Sequence, residues 1–368
     1  MQQESWQRSY SINALALAPT VRAKLQLAGF HCVQDILRFQ YPIQLCKQVN
    51  QLTLQEAQDC LQIAKSQGDS GGRQGLSECA SAFEILRREQ ERIHLTTFCE
   101  SLDECLGGGV SVAEITEFCG APGVGKTQIG MQLAVSCQIP EMFGGNGGQC
   151  VYVDTEGSFT SERVEDMAVG SREWLSGSIE SYARKAVHSK EETSRLRDCL
   201  ERDFTVDKIL ERIHVFRCHE VTELLACLDS LPDFMKEWPK VKLVVVDSIA
   251  FHFRQDFDDM ALRASILAKT TNGLMSLAKR YDLAVVTINQ ATTKPGGRLA
   301  PALGESYAHA ATTRVALSWG ENENRIAYIA KSPRLANKKA LYTIKKAGVR
   351  DVENTEENNQ LKRKYAQK

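Results

Sequence analysis

The chain has 368 residues, with 45 Lys and Arg against 46 Asp and Glu, and 43% of it is hydrophobic. That is ordinary globular usage at a length suited to one large and one small domain, so wholesale disorder is excluded. A net charge of −1 excludes a polycation, and any nucleic-acid contact must come from local patches. In chain order, Met1–Tyr10 is polar with no signal-peptide core, and no apolar run approaches the roughly twenty residues that span a bilayer. Residues 1–66 read as a small helical domain. A helix runs to Leu27, Ala28-Gly29-Phe30 turns, and a second helix covers Val33 to Phe39, ending before Pro42. A third carries Leu54, Ala57, Leu61 and Ala64 on one face, with Thr53 and Glu56 spaced as a capping box. Residues 67–95 form a linker, because Gly68–Gly75 holds no apolar residue.

Over 96–350 the pattern becomes α/β. Cys150–Val153, Leu243–Val246 and Ala284–Val286 are short uninterrupted apolar runs, as strands buried on both faces require. Polar residues follow each at once: Asp154 and Glu156, Asp247, then Asn289 and Gln290. In a mostly parallel sheet flanked by helices, these ends share one ligand-binding edge. The charged segment 161–212 reads as a helical excursion on the outside, and 351–368 as a polar, disordered tail ending in Lys362-Arg363-Lys364. Twelve scattered cysteines without CxxC spacing read as reduced, mostly buried thiols of a cytosolic or nuclear protein. None of the seven histidines has metal-ligand spacing, and His94, His214, His219 and His252 read as core or surface residues.

Gly120-Ala121-Pro122-Gly123-Val124-Gly125-Lys126-Thr127 fits GxxxxGK[ST] at every fixed position. It follows a strand pattern (Ile115, Phe118) and opens a helix pattern (Ile129, Leu133, Cys137), which is the context the motif needs. Its glycines let successive amides face phosphate oxygens, and the helix start adds positive potential. Lys126 is expected at the β- and γ-phosphates, Thr127 on Mg²⁺, and Asp247 as partner of the metal or, alternatively, a helix cap. Glu156 is placed to orient and deprotonate an attacking water. Gln290 is placed to sense the γ-phosphate or, alternatively, to satisfy backbone at a strand end.

With these residues in place, the chain resembles the RecA-type recombinases of eukaryotes and archaea. The resemblance rests on Gly120–Gln138, Tyr152–Phe159, Leu243–Asp247 and Ile288–Gln290, and on 11–66, which resembles their helix-hairpin-helix domain. Phe118–Thr127, Ala250–Arg254 and Pro301–Ser306 make it most similar to the recombinase paralogues, in particular the C-type branch. The resemblance implies a RecA-like P-loop ATPase core using ATP and Mg²⁺. Glu156, Lys126 and Gln290 would be catalytic, Gln290 linking nucleotide state to DNA. Gly120, Gly123, Val124, Gly125, Thr127 and Gln128 would hold the nucleotide, with Arg163 packed on the adenine. Two loops, 254–264 and 291–306, would face single-stranded DNA, offering Arg254, Arg263, Lys294 and Arg298. Partners would be other recombinase paralogues and the main recombinase, in a nucleus-based repair role with some cytoplasmic presence. No membrane is implied.

Three positions depart from the family pattern. The linker's polymerising Phe-x-x-Ala reads Cys79-Ala80-Ser81-Ala82. Lys331 stands before Ser332-Pro333 where an acidic cap would cover the neighbour's ATP. Asn50 replaces a hairpin glycine, which favours partner binding over a DNA grip for the small domain. A scaffold with a purely structural nucleotide and a hexameric helicase motor are the competing readings.

Overall fold

This computed structural model describes residues 11–15, 17–39, 41–69, 81–184, 190–255, 257, 259–293, 299–303, 307, 309–320 and 324–353. The chain divides into two compact units, Met1–Glu91 and Arg92–Lys368. In the first unit, α1 (Pro19–Leu27) starts on a proline and stops before Gly29, whose φ of +83° a side chain would resist. α2 (Val33–Leu37) is two residues shorter than its predicted span. Pro42, expected only as a stop, opens a further helix, α3 (Pro42–Gln48). Proline at a first helical position loses no hydrogen bond, so the same residue both ends and begins helices. α4 (Leu54–Asp69) has the expected capping box. Thr53 Oγ1 accepts from the Glu56 amide at 3.2 Å, and Glu56 Oε2 accepts from the Thr53 amide at 2.8 Å. Ala57, Leu61 and Ala64 are buried with Leu25, Ile36 and Leu45, whereas Leu54 at the helix start is exposed. α4 runs past the expected linker start, and α5 (Ala82–Gln90) forms within the linker span, with Phe83, Ile85 and Leu86 exposed. Gly71–Gly75 and the Cys79-Ala80 departure lie outside the described residues.

The second unit runs β1 (His94–Leu95), α6 (Glu100–Cys105), β2 (Val110–Ser111), β3 (Ile115–Gly120), α7 (Lys126–Ser136) and β4 (Gln149–Asp154). Helices α8 (Ser161–Arg184), α9 (Lys190–Asp203) and α10 (Val206–Glu211) lead to β5 (Ile213–Arg217). Then come α11 (Val221–Glu237), β6 (Val241–Asp247), α12 (Ala250–Gln255), α13 (Met260–Tyr281), β7 (Ala284–Thr293) and β8 (Leu299–Pro301). The sheet closes with β9 (Thr313–Trp319), β10 (Arg325–Lys331), β11 (Lys339–Lys345) and β12 (Gly348–Asp351).

The main sheet has the order β12-β11-β10-β9-β3-β7-β6-β4-β5, with β8 paired to β7. From β9 to β5 the strands are parallel; β10, β11 and β12 add antiparallel. The uninterrupted apolar runs follow from this, since each strand feeds two cores. Cys150, Tyr152, Leu243 and Val245 face α7 and α8, while Val151, Val153, Val244 and Val246 face α11 and α13.

Three expectations need correction. Segment 161–212 is not merely external, because Val164, Met167, Leu175 and Ile179 of α8 enter the same core as the strands. Its high charge belongs to the outward faces. Within the span 291–306, Ala291–Thr293 and Leu299–Pro301 are antiparallel strand partners, with Ala291 opposite Pro301 and Thr293 opposite Leu299. The tail also starts later than residue 351. Asp351 belongs to β12, its carboxylate accepts from the Glu100 and Ser101 amides, and Val352 is buried. Residues 354–368 lie outside the described residues.

Candidate nucleotide site

Parallel strands deliver their carboxyl ends to one edge, and the registers bring the chosen residues together. Gly120 is opposite Gln290, Asp154 opposite Asp247, and Asp247 opposite Ile288. From Gly120 the chain turns through Gly123 (φ +77°) and Gly125 (φ +99°) into α7. The conformation of Gly125 favours glycine, and a Cβ there would also displace the tip of the Ile344 side chain. The Tyr342 hydroxyl ties the loop to β11 by donating to the Val124 carbonyl at 2.9 Å. Lys126 Nζ donates to the Gly120 and Ala121 carbonyls at 3.0 and 2.8 Å. Burial pushes its pKa down, opposed by Asp247 and Glu156.

Asp247 is buried at the end of β6, and the Tyr152 hydroxyl donates to its Oδ2 at 2.7 Å. Burial pushes its carboxyl up to about 6, against the lowering effect of the Tyr152 and Thr127 hydroxyls. A desolvated carboxylate beside a threonine hydroxyl is a hard-oxygen set that fits Mg²⁺. The glycine loop and Lys126 fit a polyphosphate.

Glu156 lies just past β4. Its Oε1 accepts from Ser248 Oγ at 2.5 Å and from Gln290 Nε2 at 2.7 Å. Gln290 Oε1 in turn accepts from Arg254 Nη1 at 2.7 Å. One hydrogen-bonded line thus runs Ser248–Glu156–Gln290–Arg254. Asp154 shapes the turn that presents Glu156, accepting from the amides of Glu156, Ser158 and Phe159 at 3.1–3.3 Å.

Arg163 is fixed at the start of α8. Its Nε donates to Gln128 at 2.6 Å, and its two terminal nitrogens donate to the Lys346 and Lys345 carbonyls at 2.5 and 2.7 Å. Gln128 and Arg163, both expected around the nucleotide, therefore meet beside the phosphate loop. Arg263 lies in the first turn of α13, its Nη1 3.5 Å from Met260 Sδ. The expected loop 254–264 is thus largely helical, with α12 reaching Gln255 and Asp259 capping α13. Lys331 ends β10, where its Nζ donates to the Ala311 carbonyl at 2.7 Å. Lys294 and Arg298 lie outside the described residues.

Sequence reasoning missed Tyr152 and Ser248, which look like strand filler and a small turn residue until the strands are paired. It also missed a buried network that links β3, β7 and β9. Glu117 Oε2 accepts from Arg314 Nε at 2.5 Å, and its Oε1 accepts from Asn289 Nδ2 at 2.7 Å. The charged Glu117 inside the strand pattern Ile115–Gly120 was the available signal.

Comparison with known proteins gives a consistent result. The Rad51 family profile matches residues 87–178 and 188–352. "DNA repair protein RAD51 homolog 3" of Cricetulus griseus is 42% identical over 91% of this chain and 90% of its own length. The protein of that name in Dictyostelium discoideum is 37% identical over 74% of this chain and 69% of its own. "DNA repair and recombination protein RadA" of Methanocorpusculum labreanum is 30% identical over 91% of this chain and 96% of its own.

Proposed function

We propose, from the premise that this chain belongs to the Rad51 family, that it is a P-loop ATPase subunit serving homologous recombination and double-strand-break repair. Its turnover is slow and stimulated by single-stranded DNA, and it works in the nucleus within a complex of recombinase paralogues. The observation that carries this reading is the line Ser248–Glu156–Gln290–Arg254. It connects a carboxylate beside the phosphate loop to an arginine on α12 that opens the span 254–264, which the resemblance implies for DNA. In this reading Lys126 and the loop amides hold the triphosphate. Mg²⁺, held by Thr127 and Asp247, would neutralise charge on the phosphate oxygens. Glu156 takes the proton of the water whose oxygen bonds the γ-phosphorus as the β–γ bridge breaks. Gln290 then exchanges partners between Glu156 and the γ-phosphate, so Arg254 is held or released with nucleotide state. A scaffold with a structural nucleotide is the second reading, but it has no use for a carboxylate wired to an arginine.

Hydrolysis with and without single-stranded DNA tests the proposal. Lys126→Ala should lose nucleotide binding, because the triphosphate loses its charge partner. Glu156→Gln should hold ATP and lose turnover. Parental rates in both variants would show the site assignment to be wrong, and a parent that binds ATP without hydrolysing it would favour the scaffold.

A further inference from the structure

We infer that Arg325, stacked on Trp319, is a further nucleotide-binding residue of this chain, adding positive charge to the phosphate loop from its strand side. The inference rests on the ATP reading above and deepens it. Sheet order places β9 beside β3, with β10 and β11 following outward, so their ends form a wall on that side of the loop that follows β3. Trp319 Cζ2 is 3.8 Å from where a Cβ of Gly123 would stand. Arg325 Nε is 3.8 Å from the corresponding point on Gly125, and Ile344 occupies that point itself. Arg325 pairs with Trp319 on one side and Tyr342 on the other, and Tyr342 is the residue that ties down Val124. The wall thus bonds Val124 and lies alongside Gly123 and Gly125, at the positions their side chains would take.

Arg325 is also held there. Its guanidinium carbon lies 4.6 Å over the Trp319 ring, a stacking that keeps the charge from swinging into solvent. Its Nε is buried and has no hydrogen-bond partner. A buried cationic donor without an acceptor is unfavourable in isolation. Placed behind a loop whose amides collect an anion, it becomes favourable once that anion arrives, although Trp319 is 48% exposed and solvent screens part of the attraction.

The test is equilibrium binding of ATP and ADP to the full chain with Mg²⁺, alongside steady-state kinetics. Arg325→Met should raise both dissociation constants about tenfold, with the loss falling on KM more than on kcat. Arg325→Lys, which keeps the charge, should recover most of the affinity. An Arg325→Met protein that binds like the parent overturns the inference alone, whereas a parent that binds no nucleotide overturns the ATP reading as well. A second measurement does not depend on how that variant folds. Tryptophan emission of the parent should change on saturation with ATP, and Trp319→Phe should remove the change. A saturated parent whose emission stays constant also rejects the assignment.

Discussion

Asp247 carries opposite consequences for the empty and the loaded protein. Its carboxyl is raised from the ordinary 3.8 to about 6, chiefly by burial. The folded state therefore binds an extra proton between those values, and the stability of the nucleotide-free protein falls as pH climbs through that window. Above it the cost is on the order of 3 kcal/mol. Mg²⁺ favours the ionised form, so Mg²⁺-ATP should bind more weakly as pH falls below about 6. Asp247→Asn should melt higher than the parent at pH 7 without ligand and should gain little from Mg²⁺-ATP. Melting curves from pH 5 to 8, with and without Mg²⁺-ATP, check both halves. A variant that melts lower when empty would mean the carboxylate is already compensated by its neighbours. The importance of this residue was legible in the sequence because it closes an apolar run. Its altered acidity was not, since that comes from burial by neighbouring strands and helices, which the Tyr152 hydroxyl only partly offsets.

At the scale of elements, the line from Glu156 to Arg254 joins residues just past β4, on β7 and on α12 that no local pattern connects. Gln290→Ala should leave ATP binding near the parental level, lower DNA-stimulated turnover at least tenfold, and leave the unstimulated rate less affected. Turnover measured against DNA concentration decides this, and full stimulation in the variant would assign Gln290 to backbone satisfaction alone. Among elements, the strands and the capping box of α4 were readable because burial on two faces and helix capping leave contiguous signatures. α3 was missed because proline signals a boundary without saying which side is helical. The β7–β8 pairing was missed because its ladder hydrogen bonds are made by backbone, which carries no residue code.

For the whole molecule, the issue is assembly. Cys79 at the linker anchor offers less apolar area than phenylalanine, and such aromatic anchors are commonly worth about 2 kcal/mol or more. That loss recurs at every joint of a filament but only once in a small complex. The chain alone should sediment as a monomer or small oligomer with ATP and single-stranded DNA, and long homopolymers at micromolar concentration would refute this. Lys331 should make pairing with a paralogue ATP-dependent by meeting the neighbour's γ-phosphate, and Lys331→Glu should abolish the dependence. Partner affinities that are equal with ATP, with ADP and in the variant would reject that role.

The sequence by itself determined the α/β class, the phosphate loop and the residues at the strand ends, because each is written within a few consecutive positions. Only the tertiary structure decided that Tyr152 bonds Asp247, 95 positions away, that Arg314 bonds Glu117 across 197, and that Arg325 lies behind Gly125. In a parallel sheet every neighbour is reached by a crossover, so distance along the chain holds no record of adjacency. Register, set by packing the two cores at once, supplies it.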